Sequence, residues 1–285
     1  MTTTTDALAP TTTPAALARP TRPAGRPVGL TWPRVLRSEL IKLLSLRSTR
    51  WALAVMVVAT VGMGAIYALA VEAEDYAVDS PAHPARMVSR LAQYIVQFVA
   101  LVIGALGAAS EYGSGAIRSS LCAVPRRRTL LVCQTAASAS LLAGGAAVAM
   151  ASGQALISGL LAVRGIPVQV GWGDLRLLLG MVFYSVVIGL VAFFLTVATR
   201  SAVGGVSLAL GLTFLAPIML ALAAVVGLDW CLEVSAFLPE HVAGQTWSTS
   251  YDPSYGGVLG GYAMGCGWIA IGLIVVGGLF HERDA

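Results

Sequence analysis

Charged residues are scarce in this chain. Only 11% of its 285 residues are Asp, Glu, Lys or Arg, whereas 57% are hydrophobic. Soluble domains carry about 25% charged residues, so this chain has too few to cover a surface that faces water. In a bilayer the shortage is no obstacle, because outward faces are apolar and backbone groups are satisfied within helices or closed barrels. The apolar residues form long continuous runs without alternation, which favours helices over a barrel.

Lysine is almost missing, and this excludes ATP hydrolysis by the chain itself. The only lysine, Lys42, lies between Ile41 and Leu43. A phosphate-binding P-loop requires a Gly-rich turn that ends in Lys followed by Ser or Thr, because that Lys reaches the phosphates. No such turn is present, so we expect any ATP to be bound and hydrolysed elsewhere.

Patterns for covalent catalysis and for metal binding are also lacking. Gly113-Ser114-Gly115 resembles a nucleophile turn, but a serine protease needs a base nearby, and the three histidines fall in or near loops. The HExxH spacing of metalloproteases is absent. The four cysteines are scattered without a CxxC pair. This favours a role as small apolar side chains and argues against a metal site or a disulfide framework. We therefore predict no enzymatic activity, no metal and no cofactor in this chain.

The long apolar runs predict an all-α, polytopic membrane protein with six transmembrane helices. Each run is close to the roughly 20 residues needed to cross the hydrocarbon core. The third run is too long for one upright span, so we expect it to tilt strongly or to extend beyond the membrane. In the fifth, Pro217 weakens the helix locally and allows a bend. The predicted spans are Trp51–Val71, Leu91–Ala109, Leu130–Val163, Leu177–Thr199, Val203–Leu228 and Gly256–Phe280.

The chain before the first span divides into two parts. Residues 1–30 are mostly Thr, Pro, Ala and Arg, so they lack the apolar residues of a core or a signal peptide and are predicted to be a disordered tail. Residues 31–48 place leucines at helical spacing between basic residues, which is typical of a helix lying in the membrane interface. The alternative is an ordinary start of the first span. The domain prediction is thus a tail over 1–30 and a membrane domain over 31–285.

Basic residues cluster at the ends of the apolar runs, which indicates membrane orientation and no nucleic-acid partner. With the N-terminus inside, 14 of the 18 basic residues lie on the cytoplasmic side. The four left outside are Arg86, Arg90, Arg164 and Arg176. The asymmetry follows the positive-inside rule, so both termini are predicted to be cytoplasmic.

Within the predicted spans no Asp, Glu, Lys or Arg is found, which argues against a carrier coupled to protons or ions. Gln93, Gln97, Gln134 and Gln154 are polar but do not titrate, and hydrogen bonding between helices is favoured over a role in a substrate path. Glycines recur every fourth residue in the sixth span and predict close helix packing, more readily within the chain than against a second copy.

The outer loop at 229–255 is rich in aromatic residues. It is amphipathic enough to dip into the outer leaflet or to cap a cavity. An interfacial aromatic belt is the favoured interpretation.

The loop between the second and third spans begins with the signature Glu111-Tyr112-Gly113-Ser114-Gly115-Ala116-Ile117-Arg118-Ser119-Ser120-Leu121. It resembles the Glu-Tyr, Gly, Ile-Arg, Leu signature in the first cytoplasmic loop of ABC-type-2 permeases, the membrane subunits of many bacterial ABC exporters. Ser38–Leu43 and Leu46–Thr49 look like that family's approach to its first span. Ala116 departs from the usual Thr.

The resemblance implies a division of labour. In such permeases a short cytoplasmic coupling helix docks on a separate ATPase subunit that binds ATP and Mg, and two permease copies join two ATPase copies. By this resemblance the residues that couple to the ATPase are Glu111, Tyr112, Gly113, Gly115, Ile117, Arg118 and Leu121. The implied function is outward movement of an apolar or amphipathic solute (a drug, antibiotic, peptide or lipid) across a bacterial cytoplasmic membrane. No residue of the substrate path is assigned.

Three alternatives stay open from the sequence. The basic loop after the second span could serve only to set topology. The chain could be a self-contained secondary carrier, or it could be a membrane anchor or immunity protein that transports nothing.

Overall fold

A computed structural model describes residues 31–71, 83–113, 127–166, 168–248 and 256–282. For residues 111–113, 127–128 and 280–282 it describes the backbone alone. The regular structure in these ranges is α-helical apart from one π turn, Gly211–Leu215. The helices are α1 Trp32–Ser45, α2 Arg47–Ala70, α3 Pro84–Gly113, α4 Arg127–Val163, α5 Trp172–Thr199, α6 Ala202–Leu210, α7 Ala216–Val225, α8 Trp230–Ser235, α9 Pro239–Gly244 and α10 Gly257–Glu282.

Six helical segments are long and apolar enough to cross a membrane, which confirms an all-α membrane protein with six spans. They are Arg47–Ala70, Pro84–Ser110, Thr129–Val163, Trp172–Thr199, Ala202–Val225 and Gly257–Leu279. The third belongs to a single helix of 37 residues, as its long apolar run predicted. Since six crossings return the chain to its starting side, α1 and the end of α10 share one side of the bundle. We call this the near side, and the side that carries α8 and α9 the far side.

The helix before the first span is a separate element. Leu46 adopts an extended conformation (ψ 125°) and breaks the chain between α1 and α2, so α1 is no continuation of the first span. Val35 and Leu43 are buried, and Arg34 and Arg37 are exposed. The apolar stripe packs mainly on α4. The predicted amphipathic helix is therefore present on the near side, and residues 1–30 lie outside the described part of the chain.

Helix α5 lies at the centre of the bundle and packs against α3, α4, α6, α9 and α10. Its closest neighbour is α3, at the crossing of Gly104 and Gly189. A Cβ atom added to Gly104 would overlap the carbonyl oxygen of Gly189, so the two backbones are in direct contact. Such approach between small residues replaces the hydrophobic drive that is missing between helices in lipid.

Polar and small residues share the face of α3 that packs on α4 and α5. In its far half, Ser89 donates to Gln154 Oε1 over 2.6 Å, Gln93 Nε2 donates to Ser185 Oγ over 3.2 Å, and the Tyr184 hydroxyl donates to Gln97 Oε1. In its near half the same face continues with Ala100, Gly104 and Ala108, which are small. The prediction that glutamines bond between helices is confirmed for Gln93, Gln97 and Gln154.

The α-helical hydrogen bonding of the fifth span is interrupted next to Pro217, where the sequence predicted a locally weakened helix. The N–H of Ala216 bonds to the Gly211 oxygen five residues earlier, which makes a π turn directly before Pro217. Proline lacks an N–H, and its ring would clash with the carbonyl four residues back, so a widened turn accommodates it. Phe214 of this turn stacks on Phe98 of α3 with ring centroids 4.2 Å apart.

The glycine face of the sixth span packs within the chain, as predicted. A Cβ atom on Gly261 would lie 3.0 Å from the Val242 carbonyl oxygen and 3.0 Å from Gln245 Cβ. A Cβ atom on Gly265 would lie 2.7 Å from Cε1 of Phe183 in α5. The close neighbours of α10 at these glycines are therefore α9 with its following turn, and α5.

Substitution of Gly261 with Leu is expected to destabilise the protein by about 1–3 kcal/mol, because a larger side chain must push α10 away from the backbone at Val242. The measurement is the midpoint of unfolding in detergent micelles. Gly267→Leu on the same helix is the control, since a Cβ atom there meets nothing within 4 Å. Equal midpoints for the two variants would contradict the packing argument.

Candidate functional site

The chain between the fifth and sixth spans enters the bundle on the far side. Thr246, after α9, donates to the carbonyl oxygen of Gly180 over 3.0 Å and is completely buried. Gly180 lies eight residues into α5 from Trp172, which places this contact about 12 Å along that helix. The loop therefore enters between the helices, whereas the sequence had suggested a dip into the outer leaflet, a cap over a cavity or an interfacial belt.

The aromatic residues of this loop divide between the two predicted roles. Trp230 and Phe237 are each 58% exposed, as an interfacial belt requires. Trp247 is half-buried instead and meets the ring of Tyr184 edge to face at 6.1 Å. The belt interpretation is thus wrong for Trp247, because α9 carries it into the bundle. Tyr251 and Tyr255 lie outside the described residues.

A pocket of about 410 Å³ lies between α3 and the α9 region on the far side. One wall is a single face of α3, and the other is α9 with the turn after it. We call it the far-side pocket. Its volume falls in the range of small-molecule sites. It is lined by Met87, Arg90, Leu91, Tyr94, Glu240, His241, Gly244, Gln245, Trp247 and Ser248.

The two walls of the far-side pocket carry opposite charges. Arg90 stands on α3, and Glu240 stands on α9. Burial raises the pKa of the Glu240 carboxyl above its ordinary value of 4.5, because water solvates its charged form poorly there. Among the residues that the structure describes, the Glu240 side chain makes no hydrogen bond or ion pair. A largely buried carboxylate without a partner is costly, which makes Glu240 a candidate ligand-binding group.

Two buried polar atoms, one of α3 and one of the turn after α9, have no hydrogen-bond partner in the described part of the structure. Within the described ranges, Trp247 Nε1 and Gln93 Oε1 are buried and have no hydrogen-bond partner. Buried polar atoms in natural proteins rarely go unsatisfied, so these two atoms are unusual.

A buried ion pair holds the far end of α3 against α5. Arg86 Nε donates to Asp174 Oδ1 over 2.6 Å, and Arg86 Nη2 donates to Asp174 Oδ2 over 3.1 Å. The side chains are only 13% and 8% exposed. Asp174 also accepts from the Gly171 backbone N–H over 2.9 Å, which caps the start of α5.

This pair corrects the prediction that charged residues are absent from the spans. Helices α3 and α5 begin farther out than their apolar runs suggested, so Arg86, Arg90, Asp174 and Arg176 fall inside them. All four lie in the first two turns of their helix, at the far-side end. The middle of each described span still contains no charged residue.

The predicted coupling segment is described only at its beginning. Glu111, Tyr112 and Gly113 form the helical end of α3 on the near side. Gly115, Ile117, Arg118 and Leu121 lie in 114–126, outside the described residues. Their coupling role, and the short helix predicted for them, therefore stay predictions.

The far-side pocket was missed by the sequence analysis, although part of its signal is visible in the sequence. One face of α3 carries large apolar residues at helical spacing: Met87, Leu91, Tyr94 and Phe98. It points away from the polar stripe of the same helix, which consists of Ser89, Gln93 and Gln97. The second wall had no such signal, because six residues of α9 are too few to show a period. Comparison of the chain with protein-family models and with curated proteins finds no match in either.

Proposed function

We propose that this chain is the membrane subunit of an ABC-type-2 exporter, which moves an amphipathic solute outward and is powered by a separate ATPase subunit. The observation that supports this best is the course of α3. One uninterrupted helix of 30 residues, about 45 Å long, lines the far-side pocket at one end and reaches Glu111-Tyr112-Gly113 at the other. A movement applied at the near side would therefore reach the pocket through a single stiff element.

The packing of α3 suits this role. Its polar and small face is bonded and packed closely to α4 and α5, whereas Met87, Tyr94 and Phe98 on its pocket face are 40–51% exposed. A helix that is held firmly along one side and has exposed side chains at the pocket transmits displacement without unfolding. Two copies of this chain and two ATPase subunits with bound ATP and Mg complete the proposed assembly.

The proposed orientation places the near side in the cytoplasm of a bacterial cell. It is supported by the unequal distribution of basic residues and by the contacts of three far-side exceptions. Arg86 pairs with Asp174, Arg164 donates to the Val71 carbonyl oxygen over 3.0 Å, and Arg176 donates to that of Ser248 over 3.2 Å. Structural contacts thus account for the basic residues that the positive-inside rule would otherwise disfavour on that side.

The proposal is tested by isolating the tagged, full-length chain from its native membranes in mild detergent. We expect an ATPase subunit with a P-loop to be recovered with it at near-equal amounts. Replacing Ile117 with Asp should remove that subunit while the chain remains monodisperse on size-exclusion chromatography. Recovery without any ATPase would contradict the exporter assignment and leave a secondary carrier or anchor.

Replacing Glu111 with Ala is expected to preserve the complex but to uncouple it. The coupling resides at the end of α3, so the stimulation of ATP turnover by the membrane subunit should fall about tenfold, within the range usual for coupled sites. The measurement is ATP turnover of the reconstituted complex relative to the isolated ATPase. Glu233→Ala is the control, because Glu233 is an exposed acid on the far side. Unchanged stimulation in Glu111→Ala would exclude this residue from the coupling.

A further inference from the structure

The lining of the far-side pocket carries groups of opposite charge on two elements. Arg90 contributes a positive charge from α3, and Glu240 contributes a carboxylate from α9. A ligand with one charge would meet attraction at one wall and repulsion at the other. A ligand with both charges, separated along its length, is attracted at both walls.

The surroundings of the Glu240 carboxylate favour a cationic ligand group. It is largely buried, and in the described part of the chain it makes no hydrogen bond or ion pair. The aromatic rings of Tyr94 and Trp247 line the same pocket. Carboxylate and aromatic faces together are the usual surroundings of a bound ammonium group, because both present negative potential.

The opposite wall suits an anion. Arginine binds phosphate or carboxylate oxygens through its planar fork of N–H donors. Arg90 is the group on this wall that supplies such donors. Phosphate and carboxylate groups both provide matching acceptors.

An apolar strip on α3 runs from the pocket toward the middle of the membrane. Below Tyr94 on that face follow Phe98 and Val102, which are 46% and 38% exposed. A pocket of 410 Å³ holds a headgroup-sized molecule, and the strip beneath it offers a surface for an alkyl tail.

We propose that the far-side pocket binds a zwitterionic amphiphile, with the anionic group at Arg90, the cationic group at Glu240 and the alkyl tail along Tyr94, Phe98 and Val102. This inference rests on the proposed export function and names the chemical class of its substrate. A membrane lipid headgroup and a free zwitterion share this chemistry.

The test uses the full-length chain in phosphatidylglycerol nanodiscs and four octyl-chain probes below their micelle concentrations. The probes are octylphosphocholine, octyl phosphate, octyltrimethylammonium and octyl glucoside, titrated calorimetrically with empty nanodiscs as the reference. Octylphosphocholine should bind about tenfold more tightly than each of the other three, since it alone engages both walls. Equal affinity for octylphosphocholine and octyl glucoside would overturn the proposal.

Variants assign the two charges. Glu240→Gln should weaken octylphosphocholine about tenfold and should strengthen the binding of octyl phosphate, because it removes the carboxylate that repels the phosphate. Arg90→Gln should weaken both of these and should strengthen the binding of octyltrimethylammonium, because it removes the guanidinium that repels the ammonium group. Glu233→Gln, an exposed acid outside the pocket, should alter none. The unfolding midpoint of each variant is measured in parallel. If Arg90→Gln does not fold, the Glu240→Gln variant decides the test alone. Unchanged affinity of Glu240→Gln for octylphosphocholine would overturn the proposal.

The source of the ligand is distinguished by changing the lipid. If octylphosphocholine binds several-fold more weakly in phosphatidylcholine nanodiscs, and only when Glu240 is present, then lipid headgroups compete for the pocket. Equal affinity in both lipids indicates a free zwitterion. Because no ATPase is needed, failure here with an ATPase recovered from native membranes would reject the substrate class and leave the exporter proposal standing.

Discussion

Replacing Gly104 with Ala should lower the free energy of unfolding by about 3 kcal/mol, at the upper end of what overpacking costs. The added methyl would overlap the Gly189 carbonyl oxygen, which belongs to the backbone of α5. A side chain in that place could rotate away, but a helical backbone cannot. The central pair α3–α5 must therefore separate, and the hydrogen bonds of the polar stripe above the crossing lengthen with it.

The matched control for this prediction is Gly107→Ala, one turn farther along α3. A Cβ atom there would meet its nearest neighbour, Leu43 Cδ2, at 3.4 Å, which is ordinary contact. Its effect should stay within about 0.5 kcal/mol. The measurement is reversible unfolding in mixed micelles of a mild detergent and dodecyl sulfate. If both variants unfold at the same dodecyl sulfate fraction, the crossing does not depend on glycine.

Replacing Arg86 with Met should destabilise the protein by about 3–5 kcal/mol, because it leaves the Asp174 carboxylate buried without its cation. The pair is bidentate, and neither side chain is more than 13% exposed. Its attraction is therefore weakly screened by water or salt. A second change, Asp174→Asn, should recover part of the loss, since it removes the uncompensated charge.

The pair is measured with a double-mutant cycle on the free energy of unfolding, at low and high salt. Arg164→Met is the control: Arg164 is exposed and, among the residues that the structure describes, donates only to backbone carbonyls, so its removal should cost about 1 kcal/mol or less. If Arg86→Met is no more harmful than Arg164→Met, the ion pair does not hold the far end of α3. If the Asp174→Asn change adds its full cost to that of Arg86→Met, the two side chains act independently.

These two contacts explain why α3 is both firmly held and able to line a pocket. Gly104 and Arg86 lie on the side of the helix that faces α4 and α5, and they bracket the hydrogen bonds of Gln93 and Gln97. The pocket face carries Tyr94 and Phe98 instead. Substitutions on the first face should affect stability, and substitution of Tyr94 on the second face should affect binding with little effect on folding.

Helix boundaries show how far local sequence information reaches. The apolar runs predicted all six spans, because a bilayer demands about 20 apolar residues for each crossing. They placed the start of α3 at Leu91, whereas the helix begins at Pro84. Because Arg86 and Arg90 are charged, the first turns of α3 were predicted to be a loop. Asp174, whose ion pair stabilises Arg86 within the helix, is 88 residues away in the sequence.

The sequence by itself determined the fold class, the six crossings, the amphipathic helix before them and the closely packed glycine face of the last span. Each of these follows from hydrophobicity and spacing within one segment, and lipid leaves a helix little other choice. Only the tertiary structure decided that the loop after the fifth span enters the bundle and that Glu240 shares a pocket with Arg90. The reason is physical: a residue's partner across a pocket is set by how distant helices pack, and six residues of α9 carry no period from which their position could be predicted.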